Sequence, residues 1–273
     1  MLTLAMDYWC NGENYAAYAQ KNANIEARDL YAKAIAADQT FARPWADLAY
    51  AYLQAYIYHW WDGDPADVLN AMNTNIQGAV ARGATDQYVL WVQADCYLYL
   101  KDYANAIAAY KNLGAPSVPS DLLPYEWSFR VDYADMLLLT GDAKQAISIV
   151  NDVLQNCPMP ERWFYWIQAW AYYVDGQYQA SLDALSHYRN PRNAIRKNVI
   201  ASLAALGQIG EAQIQAATFL VEEKAQGVTY ASPGQPVLAG LMAIEDRLPL
   251  QSTSKLQQWK NDLGKAFGGL IQP

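Results

Sequence analysis

The chain has 273 residues, a formal net charge of −8 and 53% hydrophobic residues, which excludes a disordered protein and provides enough apolar side chains for a substantial core. The acidic balance, without any clustered run of Lys and Arg, argues against binding to DNA or RNA. No apolar run approaches the ~20 residues of a membrane-spanning helix, and the start lacks the basic segment of a signal peptide. We therefore expect a cytoplasmic protein, or a periplasmic one if the chain belongs to a longer or processed protein.

The residues that hold metals or disulfides in other proteins are scattered here. Cys10, Cys96 and Cys157 have no paired spacing, so we predict no disulfide framework, no zinc site and no cofactor. The acidic run at 62–67 lacks the glycine and glutamate of a calcium loop. We predict instead that Asp64 caps a helix that begins at Pro65.

Helical patterns occur in pairs along the chain. We predict six pairs and list them in chain order: 8–21 with 25–37, 43–56 with 64–82, then the pairs within 88–113, 125–157, 161–187 and 192–226. A proline-rich connection at 115–124 separates the third pair from the fourth. Two further helices, split at Pro249, are predicted within residues 237–269.

The second pair contains an insertion. Equivalent alanines of the first two pairs, Ala34 and Ala79, lie about eleven residues further apart than the ~34-residue period of the other pairs. We predict a long turn at 57–63 that projects Trp60 or Trp61 onto a neighbouring surface.

The spacing within the pairs resembles that of the tetratricopeptide repeat (TPR). The residues that carry the resemblance are Ala27, Tyr31, Ala34 and Asp38 in a second helix, and Trp45, Leu48, Ala49 and Tyr52 in the next first helix. Such pairs bury their apolar faces by stacking on one another. The resemblance implies an all-α, right-handed α-α superhelix (a TPR solenoid) of about six helix pairs over residues 1–226. Capping helices over 227–273 would complete it.

Four segments resemble more narrowly the C-terminal TPR module of bacterial class III adenylate/guanylate cyclases and related regulators. They are residues 27–35, 41–49, 162–166 and 247–250. This resemblance implies a sensory or docking module in bacterial signalling. It does not imply the cyclase itself, because nothing in the chain is similar to the nucleotide-cyclising domain.

In TPR proteins the first helix of each pair lines a concave groove. The resemblance therefore predicts that nine residues of this chain line such a groove. They are Tyr50, Trp91, Asp95, Tyr99, Asp135, Trp163, Trp166, Trp170 and Tyr173. Trp163, Trp166 and Trp170 fall on one side of one helix. They either form the groove wall or pack beneath a neighbouring pair or the C-terminal cap. Asp95 and Asp135 would favour a positively charged ligand.

Three functions fit these patterns. The first is a non-catalytic scaffold that binds a peptide or protein partner in its groove, in bacterial signalling or complex assembly. The second is a small-molecule sensor with an aromatic and acidic groove, and the third is a permanent subunit of a larger complex. We predict no enzymatic activity, because the two imidazoles, His59 and His187, sit in no catalytic motif.

Overall fold

The computed structural model describes residues 2–16, 21–83, 87–112, 124–188 and 193–273. Over these ranges every regular element is an α-helix, and strand-like pairing is limited to an isolated antiparallel bridge between Pro236 and Ile271. The chain divides into two compact units, residues 1–113 and 114–273.

The first unit contains three helix pairs. Their helices are α1 (Leu2–Ala16), α2 (Lys21–Ala37), α3 (Arg43–Ile57), α4 (Pro65–Ala81), α5 (Gln87–Tyr99) and α6 (Tyr103–Asn112). The partners of each pair pack on each other, and α3 packs in turn on α2 and α5. This is the stacking that the repeat pattern predicts.

The second unit contains three more pairs and two additional helices. They are α7 (Pro124–Leu139), α8 (Ala143–Asn156), α9 (Arg162–Asp175), α10 (Tyr178–Leu185), α11 (Asn193–Ala205), α12 (Ile209–Ala225), α13 (Leu238–Glu245) and α14 (Thr253–Phe267). The last helix packs against both α11 and α12. The two helices predicted within 237–269, on either side of Pro249, are α13 and α14.

Small residues set the distance between paired helices. Ala27, Ala79, Ala106, Ala146 and Ala212 are fully buried, so helices approach closely at these positions and larger side chains fill the space beside them. The tight turns within pairs use glycine where the backbone needs a positive φ, as at Gly141 (110°) and Gly176 (89°).

Two details of the sequence prediction have clear outcomes. Asp64 accepts a hydrogen bond from the Ala66 N–H at 2.8 Å, so the predicted N-cap of α4 is confirmed. The first helix, in contrast, begins at Leu2 rather than near Tyr8. The added turn contains Ala5, which is fully buried, so packing supports the helix before Tyr8. The proline-rich connection lies, up to residue 123, outside the described residues.

Candidate functional site

An aromatic cluster lies across α3 and α5 of the first unit. Trp91 is the centre of this cluster, with its ring centroid 5.0 Å from that of Tyr50 and 5.6 Å from that of Tyr88. All three side chains are half-buried and pack against a core that contains Leu53. Together with Arg43 they form what we call the α3–α5 wall. Tyr50 and Trp91 are two of the residues predicted from the repeat spacing, and the structure brings them into contact.

Arg43 is held in place on this wall by two neighbours. Its guanidinium lies 3.7 Å from the Tyr88 ring centroid and forms an ion pair with the buried Asp47 at 3.1 Å. Burial of Tyr88, next to Asp47, raises the pKa of its phenol well above the usual range, so the ring stays neutral. Asp47 balances the charge of Arg43. The flat face of the guanidinium adds to the aromatic surface.

Trp91 also carries a polar group without a partner. Its indole N–H is buried and has no hydrogen-bond acceptor. A buried donor without an acceptor costs about 1–3 kcal/mol relative to a paired one. A bound chain that supplies an oxygen atom to this donor removes that cost, but the N–H is buried and is reached only if the neighbouring rings shift.

The side chain of Asp95, one turn beyond Trp91 on α5, is engaged by α6. One of its carboxylate oxygens accepts a hydrogen bond from the hydroxyl of Tyr110. Burial raises the pKa of Asp95 to about 7, and the bond from Tyr110 only partly offsets this rise. The role predicted for Asp95, attraction of a positively charged ligand, would therefore be weakened near neutral pH.

Ionisation of Asp95 is expected to make the protein less stable as the pH rises. The pKa is about 7 in the folded state against 3.8 for an unperturbed Asp. Between these values the folded protein keeps a proton that the unfolded chain has released, so stability falls from about pH 4 to about pH 7 and then levels off. Asp95→Asn should remove this contribution. Denaturation by urea at several pH values measures it, and an equal pH slope in both proteins would contradict the assignment.

Tyr99 lies at the C-terminal end of α5, away from Trp91. Its ring packs edge-on against that of Tyr56 on α3, with 6.3 Å between centroids. Both rings border the core between the two helices. Tyr99 thus extends the aromatic surface of these helices and also contributes to their packing.

In the second unit, the predicted residues of α9 lie in different environments. Trp170 and Tyr173 are buried, and α14 covers them: the Trp259 ring lies 4.6 Å from Trp170 and 5.1 Å from Tyr173. The hydroxyl of Tyr173 donates a 2.7 Å hydrogen bond to Asp262, which is fully buried. A partner reaches these two side chains only if α14 moves away.

Trp166 and Trp163 are both half-buried, but for different reasons. Trp166 packs against the core between α9 and α10, which includes Leu185, with Val199 of α11 beside it. Trp163 stacks edge-on against Phe164 at 4.7 Å and donates to the carboxylate of Glu161. Asp135 lies half-buried on α7 and has interactions of its own.

A buried ion pair holds α14 and α13 against α11. Glu245 of α13 is 1% exposed and accepts from both Lys197 (2.6 Å) and the Trp259 indole N–H (2.7 Å). Sequence reasoning missed these residues, because no repeat spacing marks them. The sequence predicted two helices within 237–269, but not the face of the neighbouring pairs that the second of them covers.

Within the described ranges there is no group of three or more His, Cys, Asp or Glu side chains arranged to hold a metal ion. Of the helices in the described part of the chain, none is both long and apolar enough to cross a membrane.

No protein-family model matches the chain, and no curated protein is similar to it in sequence. Several solved structures match the chain, two of which follow. PilF of Pseudomonas aeruginosa matches over 88% of this chain and 97% of its own, with 14% identity and a TM-score of 0.52. The chain has the fold of the TPR proteins. The second structure, YrrB, described as a TPR protein with an unusual peptide-binding site, matches over 67% of this chain and 84% of its own, with 14% identity and a TM-score of 0.41. The wholly helical structure of the described residues and the match to PilF confirm the predicted all-α TPR fold.

Proposed function

We propose that this protein is a non-catalytic scaffold that binds a peptide or protein segment on the α3–α5 wall. The observation that carries the proposal is the contact of the Tyr50 and Tyr88 rings with Trp91: all three side chains are only half-buried, and the Trp91 indole N–H has no acceptor. Trp, Tyr and Arg are the side chains that contribute most to binding energy at protein interfaces. Here their rings are already held by the core, so little side-chain entropy is lost on binding.

A peptide supplies the groups that such a wall lacks. Its apolar side chains cover aromatic rings, and its carbonyl oxygens can accept from the Trp91 N–H once the rings around this buried donor shift. A cationic small molecule, the sensor alternative, has less support. Asp47 is already paired with Arg43, and Asp95 already accepts from Tyr110.

We place the scaffold in the bacterial cytoplasm, in signalling or complex assembly. The support for this context is the resemblance of residues 27–35 and 41–49 to the cyclase-associated helical module. On this proposal residues 1–226 are the repeats and 227–273 cap them. The packing of α14 on α11 and α12 supports that division.

A second candidate function rests on a different surface. Ile214 and Val221 are 60% and 59% exposed on α12, and their spacing of seven residues puts them on one side of this helix. An exposed apolar stripe of this kind favours a permanent subunit of a larger complex. The two candidates make opposite predictions for substitutions on α12 and on α5.

Trp91→Ala is expected to weaken peptide binding by about 2 kcal/mol or more, roughly thirtyfold in affinity, because the change removes the centre of the wall. The peptide is first selected from a displayed random library on the unmodified protein, and its affinity for each variant is then measured by fluorescence anisotropy. Circular dichroism below the melting temperature checks that the variant is folded.

Ile214→Ala is the matched control for this experiment. It removes an exposed apolar side chain from the second unit, so the selected peptide should bind as before. Loss of binding in Ile214→Ala with full binding in Trp91→Ala would overturn the proposed surface and favour the α12 stripe.

A further inference from the structure

The insertion between α3 and α4 folds over α2. Trp61 of this segment packs edge-on against Tyr52, with 6.0 Å between ring centroids. The guanidinium carbon of Arg28, on α2, lies 5.1 Å from the Trp61 ring and 5.2 Å from the Tyr52 ring. An ion pair between Lys21 and Asp62, at 2.7 Å, ties the segment to the start of α2. We call Arg28, Tyr52 and Trp61 the Arg28 site.

Arg28 is a half-buried cation that no described carboxylate neutralises. Its neighbours are engaged elsewhere, since Asp29 pairs with Lys33 and Asp62 pairs with Lys21. Burial lowers the pKa of Arg28, because the charged form loses hydration. Within the described part of the chain this desolvated positive charge has no counter-ion, and such a charge favours binding of an anion.

Arg28 forms a hydrogen bond with the hydroxyl of Tyr52, but two other donors at this site lack acceptors. Arg28 Nε and Trp61 Nε1 are both buried, and neither has a hydrogen-bond partner. The residue beside the indole N–H is Gly63, where a Cβ atom would come within 2.9 Å of Trp61 Nε1. Any larger residue would therefore obstruct this donor.

We propose that the Arg28 site binds a carboxylate group. One uncompensated positive charge matches one monoanion, and the planar guanidinium donates to both oxygens of a carboxylate at once. The two aromatic rings hold the guanidinium in place, so binding does not have to order it. Because Nε and Nε1 are buried, the carboxylate reaches them only if the insertion shifts outward, and otherwise it binds the remaining guanidinium nitrogens. This site lies apart from the α3–α5 wall and does not depend on the proposed function.

The indole N–H resonances test this directly. In a 15N-labelled sample the resonance of Trp61, assigned with Trp61→Phe, should shift saturably as sodium acetate replaces sodium chloride at constant ionic strength. The control is Trp45 in the same spectrum, whose ring lies 3.9 Å from the guanidinium carbon of Arg82. Arg82 already donates to the carbonyl oxygens of Gly78 and Gln39, so the Trp45 signal should not respond. An equal response of both signals would overturn the proposal.

Variants assign the effect to Arg28. Arg28→Gln should weaken acetate binding at least tenfold, because charge-assisted hydrogen bonds are lost, and Arg28→Lys by a smaller factor. Gly63→Ala keeps the charge but fills the space beside the indole N–H, so it should also weaken binding. This variant serves as the test if Arg28→Gln fails to fold. An unchanged titration in the folded variants would refute the site.

Two further titrations identify the anion. Phosphate at the same ionic strength should bind more weakly than acetate, and tighter binding of phosphate would overturn the carboxylate assignment. The peptide acetyl-Gly-Glu-Gly-amide is compared with its glutamine counterpart. If the glutamate peptide binds and the glutamine peptide does not, the carboxylate comes from an acidic side chain of a protein or peptide. If acetate binds and neither peptide does, the ligand is a small free acid. Failure of acetate and of the glutamate peptide would refute the proposal.

Discussion

Trp170→Ala is expected to lower the free energy of unfolding by about 3–5 kcal/mol, the range for truncation of a buried Trp. The side chain is 7% exposed and lies between Tyr173 of its own helix and Trp259 of α14. Its loss leaves a cavity that neither helix can easily fill, because the Tyr173–Asp262 hydrogen bond and the Glu245 ion pair hold their positions. Urea denaturation followed by circular dichroism measures the change.

Trp163→Ala is the matched control on the same helix. Trp163 is half-buried, so its truncation should cost clearly less than that of Trp170. Equal stability of Trp170→Ala and the unmodified protein would show that α14 does not cover this side of α9 in solution. The binding role predicted for Trp170 and Tyr173 would then apply without any displacement of α14.

The position of α14 decides where a partner can bind. The first helices of TPR pairs offer their exposed side to a ligand, yet in the second unit α14 already lies on the aromatic residues of α9. The tail after α14 is fixed as well, since Gln272 accepts from the Tyr230 N–H and donates its own N–H to Gln235. The α3–α5 wall carries a similar set of rings, which remain half-buried. The rings of the first unit are therefore the better candidates for contact with a partner.

The helix pairs could be predicted from sequence because their signals are local. A buried alanine such as Ala106, a tyrosine one turn later and a glycine turn such as Gly176 recur within about 34 residues. The same locality brought Trp91 and Asp95 to one side of α5. Contact between neighbouring pairs follows once the repeat is recognised, and it places Tyr50 beside Trp91.

The environment of each predicted side chain could not be derived in this way. Tyr173 and Asp262 are 89 residues apart, and no period connects a capping helix to the pair that it covers. Asp95 has the spacing of a groove residue, but Tyr110 on the next helix donates a hydrogen bond to its carboxylate, and burial raises its pKa to about 7. The insertion was visible as an excess of length. The sequence did not show that both of its tryptophans are packed. In the structure Trp60 is 3% exposed, and the Trp61 ring lies against the guanidinium of Arg28.

Gly240→Ala is expected to destabilise the C-terminal helices by about 3 kcal/mol, the upper end of the usual range for overpacking, because the added methyl group meets a rigid backbone. A Cβ atom on Gly240 would lie 1.8 Å from the carbonyl oxygen of Tyr230. Neither side can yield easily. Tyr230 is fixed by its hydrogen bonds to Gln272 and Glu223, and α13 is fixed by the pairing of Glu245 with Lys197.

Gly264→Ala makes the same chemical change as Gly240→Ala, but we expect it to stabilise the protein. Gly264 lies within α14, and a Cβ atom there would meet nothing within 4 Å. Alanine should therefore stabilise the protein by about 0.5–1 kcal/mol, the difference in helix propensity. Thermal unfolding of both variants tests this pair of predictions. If Gly240→Ala melts with or above Gly264→Ala, α13 does not pack on the Tyr230 backbone, and the cap over α9 and α11 is looser than its hydrogen bonds imply.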